Sequence, residues 1–262
     1  ASQGGKTAEF SAPGAITGEV APVIAVPTTA GTGSEVTSFA VITDRQRELK
    51  ISISSPYILP KYAVLDPELL STMPPSVAAA TGADALVHAV EAYISLAASP
   101  MTDALAEKAV SLIGGSIKRF TANRGDVQAA SNMIVGSALA GMAFNQAKLG
   151  DVHAMSHPVS AHFDAAHGEA NAVLLPTVLE FNALADSGKY EKIYSLLIGR
   201  TPRKFESSML PEAVRKLFES LGLPKGLGEL GVDPTLIPEL AKDAMLSGNI
   251  PVNPRTTAVE DI

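Results

Sequence analysis

Four of the chain's five histidines, His153, His157, His162 and His167, fall within the stretch GDVHAMSHPVSAHFDAAHGEAN. The fifth, His88, stands four residues after Asp84 in TGADALVHAVEAYIS. Imidazole is the commonest metal ligand in proteins and suits Fe, Zn, Co and Ni. If GADALVHAVEAYI is helical, Asp84 and His88 lie one turn apart on one face and can share a cation. The same spacing also serves a plain helical Asp–His hydrogen bond. His153 and His157 repeat the i, i+4 spacing, and Pro158 either opens a following helix or kinks a continuing one. His167 precedes Gly168, a turn or cap residue able to deliver it from a helix end. Any one of these histidines reads more simply as packing or surface, but five between residues 88 and 167 point to a divalent-metal site. No glutamate follows His153 or His157 directly, so the HExxH zincin pattern is excluded, and spacing alone does not choose among the histidines.

A second stretch with chemical potential is PTTAGTGSE, Pro27 to Glu35, which packs two glycines and four hydroxyls just after an apolar run. Glycines let a backbone approach a ligand closely, and hydroxyls with free N–H groups can receive phosphate oxygens. The stretch is neither GxGxxG nor a Walker A loop, and a plain turn has the same composition. Lys50, entering a later strand, either reaches a phosphate or ribose or is a solvated surface charge.

The bulk properties narrow the function classes. A formal charge of −7 argues against a general nucleic-acid binder, which needs a basic face. No apolar run approaches the roughly 18 residues of a membrane span, and the N-terminal ASQGGKTAEFSAPG has no apolar signal core. The absence of cysteine excludes disulfides, thiolate ligands and a cysteine nucleophile, and fits a cytoplasmic location.

The elements that must position these residues change in texture along the chain. PVIAVP reads as a short strand covered on both faces, and FAVITD, KISIS and YAVLDP are further strand candidates. From Pro74–Pro75 onward, alanine-rich segments of helical spacing dominate, among them MTDALAEKAVSLIGGSIKRF, VQAASNMIVGSALAGMAFNQA, EKIYSLLI and LPEAVRKLFESLG. The expected organisation is a partial α/β unit over residues 1–73 and an all-helical unit over residues 74–262. The strands are too few for a complete nucleotide-binding domain of roughly 100 residues. The closing NPRTTAVEDI reads as the opening of a helix, and the whole reads as a fragment or processed form.

These segments, in this order, resemble the iron-containing (group III) alcohol dehydrogenase family. The resemblance rests on PVIAVPTTAGTGSEVTSFAVITD, DPELLSTMPPSVAAATGADALVHAVEAYIS, ASPMTDALAEKA, GMAFNQAKLGDVHAMSHP, HGEANAVLLPTVLEFN and NPRTTAVEDI. It implies a dehydroquinate synthase-like architecture: an α/β remnant of a dinucleotide-binding domain, then an all-α metal-binding domain, with catalysis in the cleft between them. It implies Asp84, His88, His153 and His167 as ligands of Fe²⁺, or of Zn²⁺, with His157 near the nicotinamide as the catalytic histidine and His162 outside the set. Four protein ligands leave room for substrate only if coordination exceeds four, which Fe²⁺ accepts more readily than Zn²⁺. The resemblance assigns Thr28, Thr29, Gly31, Thr32, Thr37, Lys50, Leu69 and Leu70 to NAD or NADP, and Phe39 and Phe144 to the substrate pocket.

The implied activity is metal- and NAD(P)-dependent interconversion of a primary alcohol or diol with its aldehyde. A small alcohol or aldehyde is then the partner, in a homo-oligomer with no nucleic acid and no membrane. The alternatives are a truncated, catalytically incomplete metal-binding module and, further off, a metallohydrolase. The chain departs from the family in three respects. The glycine-rich GGGS pyrophosphate loop and the ribose-reading acid have no counterpart, Asp151 stands where an apolar residue is usual, and Ala166 stands where proline often precedes the last ligand histidine.

Overall fold

The computed structural model describes residues 9, 10, 16–44 and 49–262, and at 43, 44, 49 and 50 the backbone alone. Four short strands come first: β1 (Ile24–Ala25), β2 (Phe39–Asp44), β3 (Leu49–Ser54) and β4 (Tyr62–Ala63). β1 and β4 pair in parallel, Ile24 beside Tyr62 and Ala25 beside Ala63, whereas β2 and β3 form an antiparallel hairpin running from Phe39–Ser54 to Asp44–Leu49. The helices follow as α1 (Pro75–Ile94), α2 (Pro100–Gly114), α3 (Ile117–Ala122), α4 (Val127–Ala147) and α5 (Asp151–Phe163). The remainder are α6 (His167–Asn182), α7 (Lys189–Ile198), α8 (Met209–Ser220) and α9 (Ile237–Ala244).

Local chemistry explains most of the helix boundaries. Proline opens α1 and α2 at the first helical position, where its missing N–H costs nothing. Ser99 and Thr102 close a capping box at the start of α2, and Asp126 caps α4 by accepting from the Ala129 N–H. The pair Gly114–Gly115 splits the expected MTDALAEKAVSLIGGSIKRF helix into α2 and α3. Pro158 lies inside a continuous α5 and does not open a following helix.

The core sits around α1, which is almost wholly buried from Ala78 onward and packs against α2, α4 and α6. Its alanines, Ala78 to Ala92, let neighbouring helices come close. The tightest approach is at the start of α6, where a Cβ on Gly168 would stand 2.1 Å from the carbonyl oxygen of Ala80. The loop after β1 reaches the same bundle: Gly33 has φ +60°, and a Cβ on it would fall 2.8 Å from the Cα of Gly141 on α4. The hairpin's β3 lies against α5. α4 alone among the described residues is long and apolar enough to cross a membrane, but it packs between α1 and α2 and most of its length is buried.

One expectation fails. PVIAVP is not a strand covered on both faces: only Ile24–Ala25 is extended, and Val23, Ile24 and Val26 are 45%, 64% and 46% exposed. Among the described residues β1 has a single neighbouring strand, the equally exposed β4, and its apolar side chains are left largely uncovered. YAVLDP likewise contributes only Tyr62–Ala63 to a strand. The closing segment does turn as a helix opening does, with the Ala258 N–H donating to Asp261 Oδ2 at 2.9 Å.

The contact at Gly168 yields a first prediction. Gly168→Ala should lower unfolding stability in urea by about 1–3 kcal/mol, because the added methyl forces α6 off α1 and outweighs the helix-propensity gain. Gly228→Ala, where a Cβ meets nothing within 4 Å, should stay within about 0.5 kcal/mol of the parent. An unchanged urea midpoint in Gly168→Ala would show that α6 yields freely.

Candidate metal centre

Three helices bring the candidate residues together. α1 carries Asp84 and His88 one turn apart, α5 carries His153, and α6 begins at His167. Their ring nitrogens surround a single oxygen: Asp84 Oδ1 lies 3.8 Å from His88 Nε2, 3.7 Å from His153 Nε2 and 3.8 Å from His167 Nε2. Asp84, His88 and His153 each offer one ligand atom, these lie within 4.8 Å of one another, and all three residues are buried. The His167 side chain is 33% exposed, which makes it the side of the cluster open to an incoming molecule.

The surroundings decide which ring nitrogens are available. His88 Nδ1 lies 3.3 Å from the carbonyl oxygen of Gly31, and that acceptor fixes Nδ1 as the donor. His153 Nδ1 lies 2.5 Å from Glu91 Oε2, which does the same for the second ring. In both, Nε2 is turned toward Asp84, and metal-binding histidines share this habit of donating the other N–H to a carbonyl or carboxylate. Phe144 stacks on His88 with centroids 4.4 Å apart, and His88 stacks on His153 at 4.6 Å.

Charge and burial compete here. Burial alone would raise the Asp84 carboxyl, but His88, His153 and His167 together hold it well below the usual carboxylate range. Burial pulls His88 down to about 4, so that ring is neutral at pH 7. Burial acts the same way on His153, but Asp84 and Glu91 on either side outweigh it and push it up to about 9. With no cation present, His153 therefore keeps a proton between two carboxylates, a position a metal can take over.

Asn171 provides a test of whether a cation fits. Its Nδ2 is 2.7 Å from Asp84 Oδ1 and 3.2 Å from Nε2 of both His153 and His167. Asp84 takes one of its hydrogens and His167 the other, so nothing is left for His153 Nε2, and a proton on that nitrogen would set two donors face to face. Its own Oδ1 is buried without a hydrogen-bond partner. Polar atoms at this focus are thus left mismatched, and a divalent cation that displaces the His153 Nε2 proton would take the lone pairs turned toward it. The donor set is mixed nitrogen and oxygen, which suits Fe²⁺ or Zn²⁺.

The remaining expected residues surround the centre unevenly. His157 is half-buried, its ring stacked on His167 at 5.4 Å and edge-on to His153 at 6.1 Å. His162 points elsewhere, 3.0 Å from Asp243 on α9. Gly31 touches the cluster through its carbonyl, whereas Thr28 and Thr32 are exposed, Thr29 is half-buried and Thr37 is buried. Leu69 is exposed and Leu70 is fully buried in the main core, on a short turn packed against α4. Lys50 lies opposite Thr43 on the hairpin, and its side chain is outside the described residues. Phe39 is half-buried at the start of β2, and the preceding Ser38 donates to Asn145 Oδ1 from N at 2.8 Å and Oγ at 2.9 Å. This ties β2 to the end of α4, next to Phe144.

The C-terminal region of the Fe-containing alcohol dehydrogenase family matches residues 78–262, and the iron-containing alcohol dehydrogenase pattern matches residues 4–67. The chain belongs to the iron-containing alcohol dehydrogenase family. Among its relatives, the NAD-dependent methanol dehydrogenase of Bacillus methanolicus is 38% identical over 100% of this chain and 70% of its own. The 1,3-propanediol dehydrogenase of Klebsiella pneumoniae is 41% identical over 94% of this chain and 65% of its own. A crystal structure of 1,3-propanediol oxidoreductase superposes with a TM-score of 0.89 at 41% identity, covering 94% of this chain and 65% of that one. This iron-containing alcohol dehydrogenase chain thus spans about two thirds of the propanediol relative's length.

Two residues at the centre escape the sequence reading. Glu91 follows Asp84 by seven positions and His88 by three, so it shares their helix face, and an acid on a helix otherwise rich in Ala, Val and Leu is the signal. Asn171 follows His167 by four positions on α6, the same one-turn spacing.

Asp151 is the first residue of α5 and is buried. Its Oδ2 accepts from Thr257 Oγ1 at 2.6 Å, and burial together with Glu91 and Asp261 pushes its carboxyl up to about 7. The folded chain therefore binds this proton more tightly than the unfolded chain. Stability falls as pH rises from near 4, the unfolded value, to about 7 and is then constant. Asp151→Asn in chelator-treated protein should raise the thermal midpoint at pH 8 and raise it less at pH 5. A gap that is equal at both pH values would contradict the buried charge.

Proposed function

We propose that this chain is the metal-bearing part of an NAD(P)-dependent oxidoreductase that interconverts a primary alcohol or diol with its aldehyde. Asp84, His88, His153 and His167 hold one divalent cation, iron(II) by preference. The observation that supports this most is the buried convergence of three imidazole nitrogens on Asp84 Oδ1 at 3.7 and 3.8 Å. A cation held there would supply Lewis-acid polarisation of the substrate oxygen, and a bound nicotinamide would supply the hydride chemistry. The names of the methanol and 1,3-propanediol relatives favour a short alcohol or diol.

Each residue has a physical task in this reading. The Asp84 carboxylate supplies the negative charge, and His88 and His153 supply lone pairs on rings already locked by Gly31 and Glu91. His167, partly exposed, lies where substrate enters. His157, stacked on His167, passes the hydroxyl proton toward solvent. Phe144 covers the outer face of His88, and Phe39 lies on the strand tied beside it. The hydroxyls and backbone N–H groups of Thr28 to Thr37 receive coenzyme phosphate oxygens, with Gly31 and Gly33 allowing the loop to lie close on the bundle. Lys50 and the Leu69–Leu70 turn are assigned to the same coenzyme in this reading. The exposure of β1 favours a second reading, a metal-binding module that does not itself use coenzyme.

Two measurements test these readings. Metal analysis of purified variants should find His153→Ala and His167→Ala reduced to less than about a tenth of the parent's iron or zinc, the expected outcome of removing a ligand. His162→Ala should keep full content, and full content in both ligand variants would defeat the assignment. Titration of the metal-loaded protein with NADH should give saturable fluorescence enhancement, and its absence would favour the module.

A further inference from the structure

We propose that Glu91 is a positioning residue of the metal centre, fixing the ring of His153 and the first turn of α5 with the two oxygens of one carboxylate. This rests on the metal reading above and adds to it a residue that does not itself touch the ion. Glu91 Oε2 accepts from His153 Nδ1 at 2.5 Å, and Oε1 accepts from the Val152 N–H at 2.8 Å. Both side chains are sealed, His153 at 2% and Glu91 at 1% side-chain exposure.

The two bonds do different things. The Val152 N–H belongs to the first turn of α5, where it has no carbonyl partner within the helix and where the helix dipole favours an anion. The bond to Nδ1 makes that nitrogen the donor, leaves Nε2 for the ion and raises the basicity of the ring. Because Glu91 is on α1, the same helix as Asp84 and His88, its carboxylate sets the position of α5 against two other ligands. Gly150 makes room for this: a Cβ there would stand 3.0 Å from Glu91 Oε1 and 2.9 Å from Asn253 Oδ1. Asn253 supports the same turn by a separate route, accepting from the Asp151 N–H at 3.4 Å and exchanging hydrogen bonds with Asn182, without reaching His153.

The experiment uses Co²⁺, whose visible absorption reports its ligands, in competition with a chelator. Glu91→Gln keeps the volume but can offer only one acceptor oxygen, so its Co²⁺ dissociation constant should rise about 10- to 100-fold and its spectrum should change. Asn253→Ala, which loosens the same turn, should lower the thermal midpoint and leave the Co²⁺ constant within about twofold. A Glu91→Gln constant within twofold of the parent, or an Asn253→Ala loss as large as that of Glu91→Gln, overturns the proposal. A parent that takes up no Co²⁺ saturably overturns the metal centre itself and this inference with it. Should Glu91→Gln fail to fold, ¹⁵N-histidine NMR of the Zn²⁺-loaded parent decides. His153 protonated at Nδ1 supports the proposal, and His153 protonated at Nε2 overturns it.

Discussion

An anion sealed inside an alanine-rich helical bundle is the constraint around which the rest of this molecule is arranged. Removing a carboxylate from water is costly unless partners replace the lost hydration, and Asp84 is only 4% exposed. Its partners come from three directions: His88 on its own helix, His153 from α5, and His167 with Asn171 from α6. Those helices must lie close enough to deliver short side chains to one point. The small residues of α1 and the glycine that opens α6 after His167 make that approach possible.

The polar network extends well beyond this focus. Glu91 joins α1 to α5, Asn253 joins α5 to α6 through Asn182, and Thr257 holds Asp151. The segment after α9, far along the chain from the first ligands, is thereby built into the support of α5. Asp151 is the uneasy member, a carboxyl facing two other acids across a buried turn, and Thr257 offsets only part of its cost.

Much of the site was legible in the sequence, because helical spacing turns a one-dimensional pattern into a shared face. Asp84 and His88 are readable in that way, and so is the pair His153 and His157, although these two do different things: one ring enters the cluster and the other stacks outside it. Exclusion of His162 needed the family pattern, since its contact with Asp243 joins residues 81 apart in sequence. Glu91 has the right spacing, but spacing alone does not tell a buried acid from one near a helix end that faces water. The fold was legible in α1 and α4 through long alanine-rich runs and in α8 through strong helical periodicity. It was misread at PVIAVP, where an apolar run says that cover is wanted without saying that this chain supplies it.

The carbonyl of Gly31 holds the ring of His88 across 57 positions of sequence. The threonine- and glycine-rich segment and the histidine cluster are therefore one thermodynamic object. Whatever free energy an ion contributes toward ordering residues near Gly31, an occupant of that segment must return to the ion in equal measure. Order of addition cannot change the final balance, and any shift one guest makes in the other's half-binding concentration is matched in return.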